Sequence, residues 1–130
     1  MKNETDQFSF ILRPSTIKGA GVGVFALHDI AKDTHMAVFA ENFQEEIRKT
    51  EDIPKELRGY CIAQKDGTLL CPKYFNRMDI GSYLNHSDTP NIIHTPEGYF
   101  SLRDIKAGEE IFADYRELGE PETAREDFYK

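Results

Sequence analysis

Apolar residues in this chain come in short bursts that turn residues cut off before a helix could close: 7–12 (QFSFIL), 22–27 (VGVFAL), 36–40 (MAVFA), 68–71 (TLLC), 91–95 (NIIHT), 98–102 (GYFSL) and 110–113 (EIFA). They are rich in β-branched and aromatic side chains and are bounded by turn residues such as Gly, Pro, Asn and Asp, so each predicts a strand. Helix is left two places. Pro54 can start a turn that runs through KELRGY, within 43–60, and DIGSYL at 79–84 is long enough for one turn. The charged stretch EEIRKTED ahead of Pro54 reads as a solvated segment. The fold class is therefore mainly β, built from several small sheets with long irregular connections and one or two short helices.

One internal echo sharpens this expectation. Leu27-His28-Asp29-Ile30-Ala31-Lys32-Asp33-Thr34 and Leu102-Arg103-Asp104-Ile105-Lys106-Ala107-Gly108-Glu109 share the frame L-x-D-I-x-x-(D/G)-x. Each follows a strand and enters an apolar run, which predicts two similar β-corners. In that frame Ile30 and Ile105 are expected to be buried, and Asp29 and Asp104 to accept backbone N–H bonds in the turn. Two copies are too few for a solenoid.

At 130 residues the chain has room for one domain. Apolar residues at 39% and charged residues at 30% describe an ordinary globular composition. No apolar run approaches the roughly 20 residues of a membrane span, and the beginning MKNETDQFSF is too polar for a secretory signal, so no membrane is expected. A cytoplasmic or nuclear location is the expectation, with a secreted effector left open. The net charge of −7 argues against direct binding to nucleic acid and makes a basic peptide the more natural electrostatic partner. Cys61 and Cys71 have no CxxC spacing and the four histidines no metal pattern, so no metal site is expected and both cysteines read as buried free thiols.

Three segments carry chemistry. Lys18-Gly19-Ala20-Gly21-Val22-Gly23-Val24-Phe25-Ala26 sets glycines at alternate positions, which exposes bare N–H and C=O groups, yet it runs into a strand and so is no dinucleotide or phosphate loop. Taken alone it reads equally as a tight β-turn. Asn85-His86-Ser87-Asp88-Thr89-Pro90-Asn91 sets His beside Ser and Asp, the ingredients of a nucleophilic triad or simply of a turn. Ala107-Gly108-Glu109-Glu110-Ile111-Phe112-Ala113-Asp114-Tyr115 is a turn feeding a strand that ends in Asp-Tyr.

Together and in this order, over roughly residues 9–115, these segments resemble the SET-domain family of protein lysine methyltransferases. The resemblance implies a β-clip of small sheets over 1–115, with a knot-like C-terminal threading that sets the NHS and DY segments side by side, and a tail at 116–130. It implies S-adenosylmethionine as cofactor, received by the main chain at Ala20, Gly21, Val22 and Gly23, with Asn85 and His86 on the other side. Tyr115 matches the tyrosine at the methyl-transfer centre, and Tyr60 resembles a tyrosine that lines the lysine channel. His86 is expected to tie the crossing together through its ring. Ala113 stands where many members carry an aromatic, and His94 is expected to fill that space beside Tyr60 and Tyr115.

The chain departs from many relatives after Tyr115, where no Cys-rich zinc segment follows. Phe128 and Tyr129 are expected to fold back as an aromatic lid over the cofactor; a frayed tail is the competing reading. The implied substrate is a lysine in a protein or peptide, a histone or another basic protein. The competing function is a noncatalytic module that binds peptide or cofactor. A homodimer would be a natural way to cover the exposed strands of so short a chain.

Overall fold

The two echoing corners pack against each other. In the computed structural model, which describes residues 5–40 and 43–118, Ile30 and Ile105 form a reciprocal antiparallel bridge, with N–H···O distances of 2.7 and 2.8 Å. Both side chains are fully buried. The aspartates do accept backbone N–H groups, but each reaches into the opposite corner. Asp29 Oδ1 takes Ala107 N at 2.8 Å and Asp104 Oδ1 takes Lys32 N at 2.9 Å. The exchange continues outward: Asp33 N donates to Ser101 O, and Gly108 N to Ala26 O. A local pseudo-two-fold relation thus joins residues 75 positions apart in frame, and it closes the centre of the domain.

The symmetry reaches the backbone angles. Asp33 and Gly108 occupy equivalent positions at φ 65° and 89°. A side chain in this left-handed region costs about 1–2 kcal/mol, least for Asn and Asp, so aspartate is a tolerated stand-in for glycine here. Asp33→Gly is expected to stay within about 1 kcal/mol of wild type, because relief of strain and extra freedom of the unfolded chain oppose each other. Asp33→Val is expected to lose about 1–2 kcal/mol in urea denaturation. Equal stability of the two variants would contradict this account.

Nine strands form three sheets among the described residues. They are β1 (Phe10–Pro14), β2 (Val22–Ala26), β3 (Glu45–Lys49), β4 (Ile62–Ala63), β5 (Thr68–Pro72), β6 (Asn85–His86), β7 (Ile92–Thr95), β8 (Gly98–Ser101) and β9 (Glu110–Ala113). The main sheet runs β1-β2-β9-β6, a second runs β3-β5-β4, and β7 pairs with β8. In the main sheet β9 lies between β2, antiparallel with Val24 opposite Ile111, and β6, parallel with Asn85 opposite Phe112 and His86 opposite Ala113. The last strand among the described residues therefore sits in the interior of its sheet, beside the short strand that carries Asn-His.

The core gathers on this arrangement. Val24, Ile30, Met36, Leu84, Ile105 and Ile111 are among its buried members. Ile53, Leu69 and Cys71 form a separate small cluster under the second sheet. Both cysteines are free; Cys71 is buried but Cys61 only half-buried. Burial pushes the Cys61 thiol up to about 12, with the neighbouring Cys71 adding to the effect.

Several sequence expectations need correction. Residues 36–40 are not a strand, although Met36 and Val38 are buried. Their backbone groups are satisfied singly, with Met36 N on Tyr99 O and Val38 O accepting from Gly81 N, so no ladder forms. The first strand begins at Phe10 instead of residue 7, because 7–9 turn back so that Ser9 N meets Asp6 O. The charged stretch before Pro54 is largely solvent-facing as expected, yet its first five residues form β3. Among the described residues the helical segments are short 3-10 turns, at Thr50–Asp52, Lys55–Tyr60, Phe75–Arg77, Ile80–Tyr83 and Tyr115–Leu118, more numerous than the one or two expected.

Candidate functional site

The three chemistry-bearing segments meet at the β2-β9-β6 junction. The glycine segment is shaped by its backbone: Gly19 and Gly21 take φ 82° and 75°, and Ser15 N closes the loop onto Gly21 O at 2.8 Å. A Cβ at Gly21 would meet nothing within 4 Å, so open space lies beside this turn. Ala20 N bonds Ile17 O at 3.1 Å, and Val22 is partly exposed at the start of β2. Across the junction Asn85 Nδ2 donates to Val22 O at 3.0 Å. Gly23 has a different reason to be glycine: a Cβ there would collide with the carboxylate of Glu110.

His86 is buried, and both its ring nitrogens are engaged. Tyr115 N donates to Nδ1 at 3.0 Å, so that nitrogen is the acceptor and the ring proton sits on Nε2, which donates to Asp88 Oδ1 at 2.9 Å. The ring thus ties the NHS loop to the turn that carries Tyr115, and these bonds leave no ring lone pair for a general base. Tyr115 packs on it, with ring centroids 5.3 Å apart. The Tyr115 hydroxyl donates to Leu84 O at 2.7 Å, which brings the phenol to the residue just before Asn85.

Residues not singled out in the sequence complete the junction. Asn91 is buried and braces β9 from the side: its Nδ2 donates to Glu110 O at 2.9 Å and its Oδ1 accepts Phe112 N at 2.8 Å. Asp114 holds Arg116 through two bonds of 2.8 and 2.7 Å, and Arg116 also reaches Asp88 at 3.4 Å. The second Asn of the NHSDTPN segment and the Asp of Asp-Tyr were the available signals, since each is a polar residue bordering an apolar run.

Tyr60 and Tyr83 form an edge-on pair with centroids 5.6 Å apart, and Tyr83 directly precedes Leu84 and Asn85 in the chain. His94 is exposed on β7 and packs on Tyr99 at 4.7 Å, and Tyr99 in turn stacks on Phe39. Burial, with Glu117 and Glu45 adding to it, pushes the Tyr99 hydroxyl up to about 12, so it remains a neutral phenol. Tyr60 and His94 are thus placed through aromatic neighbours, whereas Asn85 bonds the glycine segment at Val22 O, and Tyr115 bonds His86 and the Leu84 carbonyl just before Asn85. Phe128 and Tyr129 lie outside the described residues.

A family model for the SET domain matches residues 21–116, most of the chain. The chain belongs to the SET-domain family. Solved structures of similar fold include a Plasmodium falciparum protein assigned as a histone methyltransferase, 22% identical, with TM-score 0.54 over 83% of this chain and 93% of that one. The methyltransferase domain of human PR domain-containing protein 2 is 18% identical, with TM-score 0.54 over 82% of this chain and 76% of that one. No curated protein sequence matches. As in these structures, the mainly β arrangement in small sheets is that of a SET domain.

The electrostatics of this SET domain fix two carboxylates in their charged form. Burial disfavours the charge on Glu110, but hydrogen bonds from the Thr16 hydroxyl and main chain, Asn85 and Ser15 outweigh it and hold the group below the usual glutamate range. The side-chain hydrogen bonds from Arg116 hold Asp114 below the usual aspartate range despite its partial burial. A depressed carboxylate contributes stability that is complete above its unfolded value, near about 4, and is lost as pH falls through its folded value. Stability to urea is therefore expected to decline below about pH 4, with a shallower decline in Glu110→Gln. Superimposable pH profiles, apart from a constant offset, would contradict this role for the charge.

Proposed function

We propose that this SET domain transfers a methyl group from S-adenosylmethionine to the side-chain amine of a lysine in a basic protein segment. The observation that carries the reading is the meeting of the Tyr115 hydroxyl with Leu84 O beside the Asn85 amide and the open glycine turn. The residues fit the cofactor. The turn at Gly21 leaves backbone groups beside open space, and Asn85 spends its N–H donors on Val22 O and Glu110 Oε2, which leaves Oδ1 as an acceptor. Ala20, Gly21, Val22, Asn85 and His86 would hold the group.

S-adenosylmethionine, when bound, supplies an electrophilic methyl on a sulfonium. The protein's task is positioning and desolvation. Tyr115 OH, committed as a donor to Leu84 O, keeps its lone pairs to accept an N–H of the incoming amine and aim its lone pair at the methyl. Main-chain oxygens such as Leu84 O can receive weak C–H contacts from a polarised methyl. Lysine must arrive neutral against a reference pKa of about 10.4, and a channel in which Tyr60, paired edge-on with Tyr83, excludes water would disfavour its charged form. The net charge of −7 supports a basic substrate segment.

The test is transfer of labelled methyl from S-adenosylmethionine to a panel of basic proteins, histones included, with the labelled residue identified by mass spectrometry. Label on lysine supports the reading. Cofactor or peptide binding without transfer to any acceptor would favour the noncatalytic module. A location in cytoplasm or nucleus and a homodimer remain part of the proposal, the latter read by sedimentation.

A further inference from the structure

The Glu110 carboxylate is the most heavily engaged acidic group of the junction, and the methyl-transfer scheme above does not use it. Its side chain is buried at the start of β9, yet its bonds run to residues about 95 positions earlier. Oε1 accepts Thr16 N and Thr16 Oγ1, both at 2.7 Å. Oε2 accepts Ser15 Oγ at 2.8 Å and Asn85 Nδ2 at 3.1 Å. Gly23 leaves the room that the carboxylate fills. These bonds act on both flanks of the glycine turn, since Ser15 N also holds Gly21 O and Asn85 Nδ2 also holds Val22 O.

The chemistry of the acceptors has a directional consequence. A carboxylate and a backbone carbonyl can only accept, so Asn85 must turn its nitrogen toward Glu110 and Val22 and its Oδ1 away from them. We propose that Glu110 is a positioning residue for the cofactor: it clamps the Ser15–Gly21 loop and orients the Asn85 amide so that Oδ1 faces the cationic end of S-adenosylmethionine. The inference rests on the cofactor reading above but assigns a role to a group that touches neither cofactor nor substrate. A neutral amide cannot replace it. Gln at this position would bring one acceptor oxygen to a site built from several donors and would aim its own N–H groups at the rest.

Calorimetry with S-adenosylmethionine and amide hydrogen exchange on the cofactor-free protein test this together. Glu110→Gln is expected to weaken cofactor binding by about tenfold or more, while kcat at saturating cofactor stays within about threefold, because bonds to a charged group are lost but Tyr115 keeps its place. Exchange of the Thr16 amide is expected to quicken by about tenfold while Ile30 and Ile105 keep their protection. Thr16→Val, which removes one hydroxyl at a partly exposed position, is expected to weaken binding by about threefold and serves if the first variant does not fold. Unchanged affinity in either folded variant overturns the proposal, as does an equal loss of protection in loop and core. Failure of the wild-type protein itself to bind the cofactor would instead overturn the functional reading, and this inference with it.

Discussion

Tyr115→Phe is expected to cut methyl transfer by about two to three orders of magnitude while leaving the fold and cofactor affinity nearly intact. The substitution removes one oxygen. It keeps the ring on His86 and the Tyr115 N–H bond to His86 Nδ1, because the latter is a main-chain contact. What disappears is the hydroxyl bonded to Leu84 O, worth about 1 kcal/mol to stability and, in the proposed reaction, the group that orients the amine. Single-turnover transfer with labelled cofactor, run beside calorimetry, separates the two contributions. Equal transfer rates in wild type and variant would remove Tyr115 from the chemistry. A parallel collapse of binding and rate would make its role one of architecture.

The sequence carried β2, β5, β7, β8 and β9 clearly because each is a β-branched or aromatic run bounded by turn residues. It concealed β3 for a physical reason. Glu45–Lys49 is almost wholly exposed and has no apolar pattern of its own; β5 supplies its partner, and Arg48 anchors it on Pro72 O and Lys73 O at 2.9 Å each. Residues 36–40 misled in the opposite sense, since Met36 and Val38 alternate as a half-buried strand would but serve as core plugs on an irregular segment. The corners were legible as motifs, whereas the crossed pairing of Asp29 and Asp104 was not, because either aspartate could have served its own turn equally well.

The candidate site divides along the same line. Asn85, His86 and Tyr115 could be named because their segments are distinctive, and the junction brings them together. Glu110 and Asn91 could not be assigned roles because their partners are remote in sequence and include main-chain groups, which carry no signature in the letters. A glutamate in a strand ordinarily faces water. Only the pairing of β9 with β2 and the gap at Gly23 turn this one inward.

Asn91→Ala is expected to be the most destabilising polar substitution in the junction, costing about 2–6 kcal/mol. Its amide satisfies a carbonyl at Glu110 and an N–H at Phe112, and its own N–H reaches Phe112 O at 3.3 Å while its carbonyl accepts Leu102 N at 2.9 Å. Truncation leaves the first two groups without their partner, the Glu110 carbonyl buried and the Phe112 N–H half-buried, at about 1–3 kcal/mol each, against a total stability of only about 5–15 kcal/mol for a domain. Asn91→Asp is no rescue: one oxygen could still accept Phe112 N, but the other would face Glu110 O with two acceptors and no proton between them. Urea denaturation checks the cost, and a loss below about 1 kcal/mol would show that β9 is held by its neighbouring strands alone. Because this strand ends at Ala113, two residues before Tyr115, loosening it should also lower transfer in whatever fraction remains folded, and do so without any change in the residues that meet the cofactor. That combination would distinguish a brace of the site from a member of it.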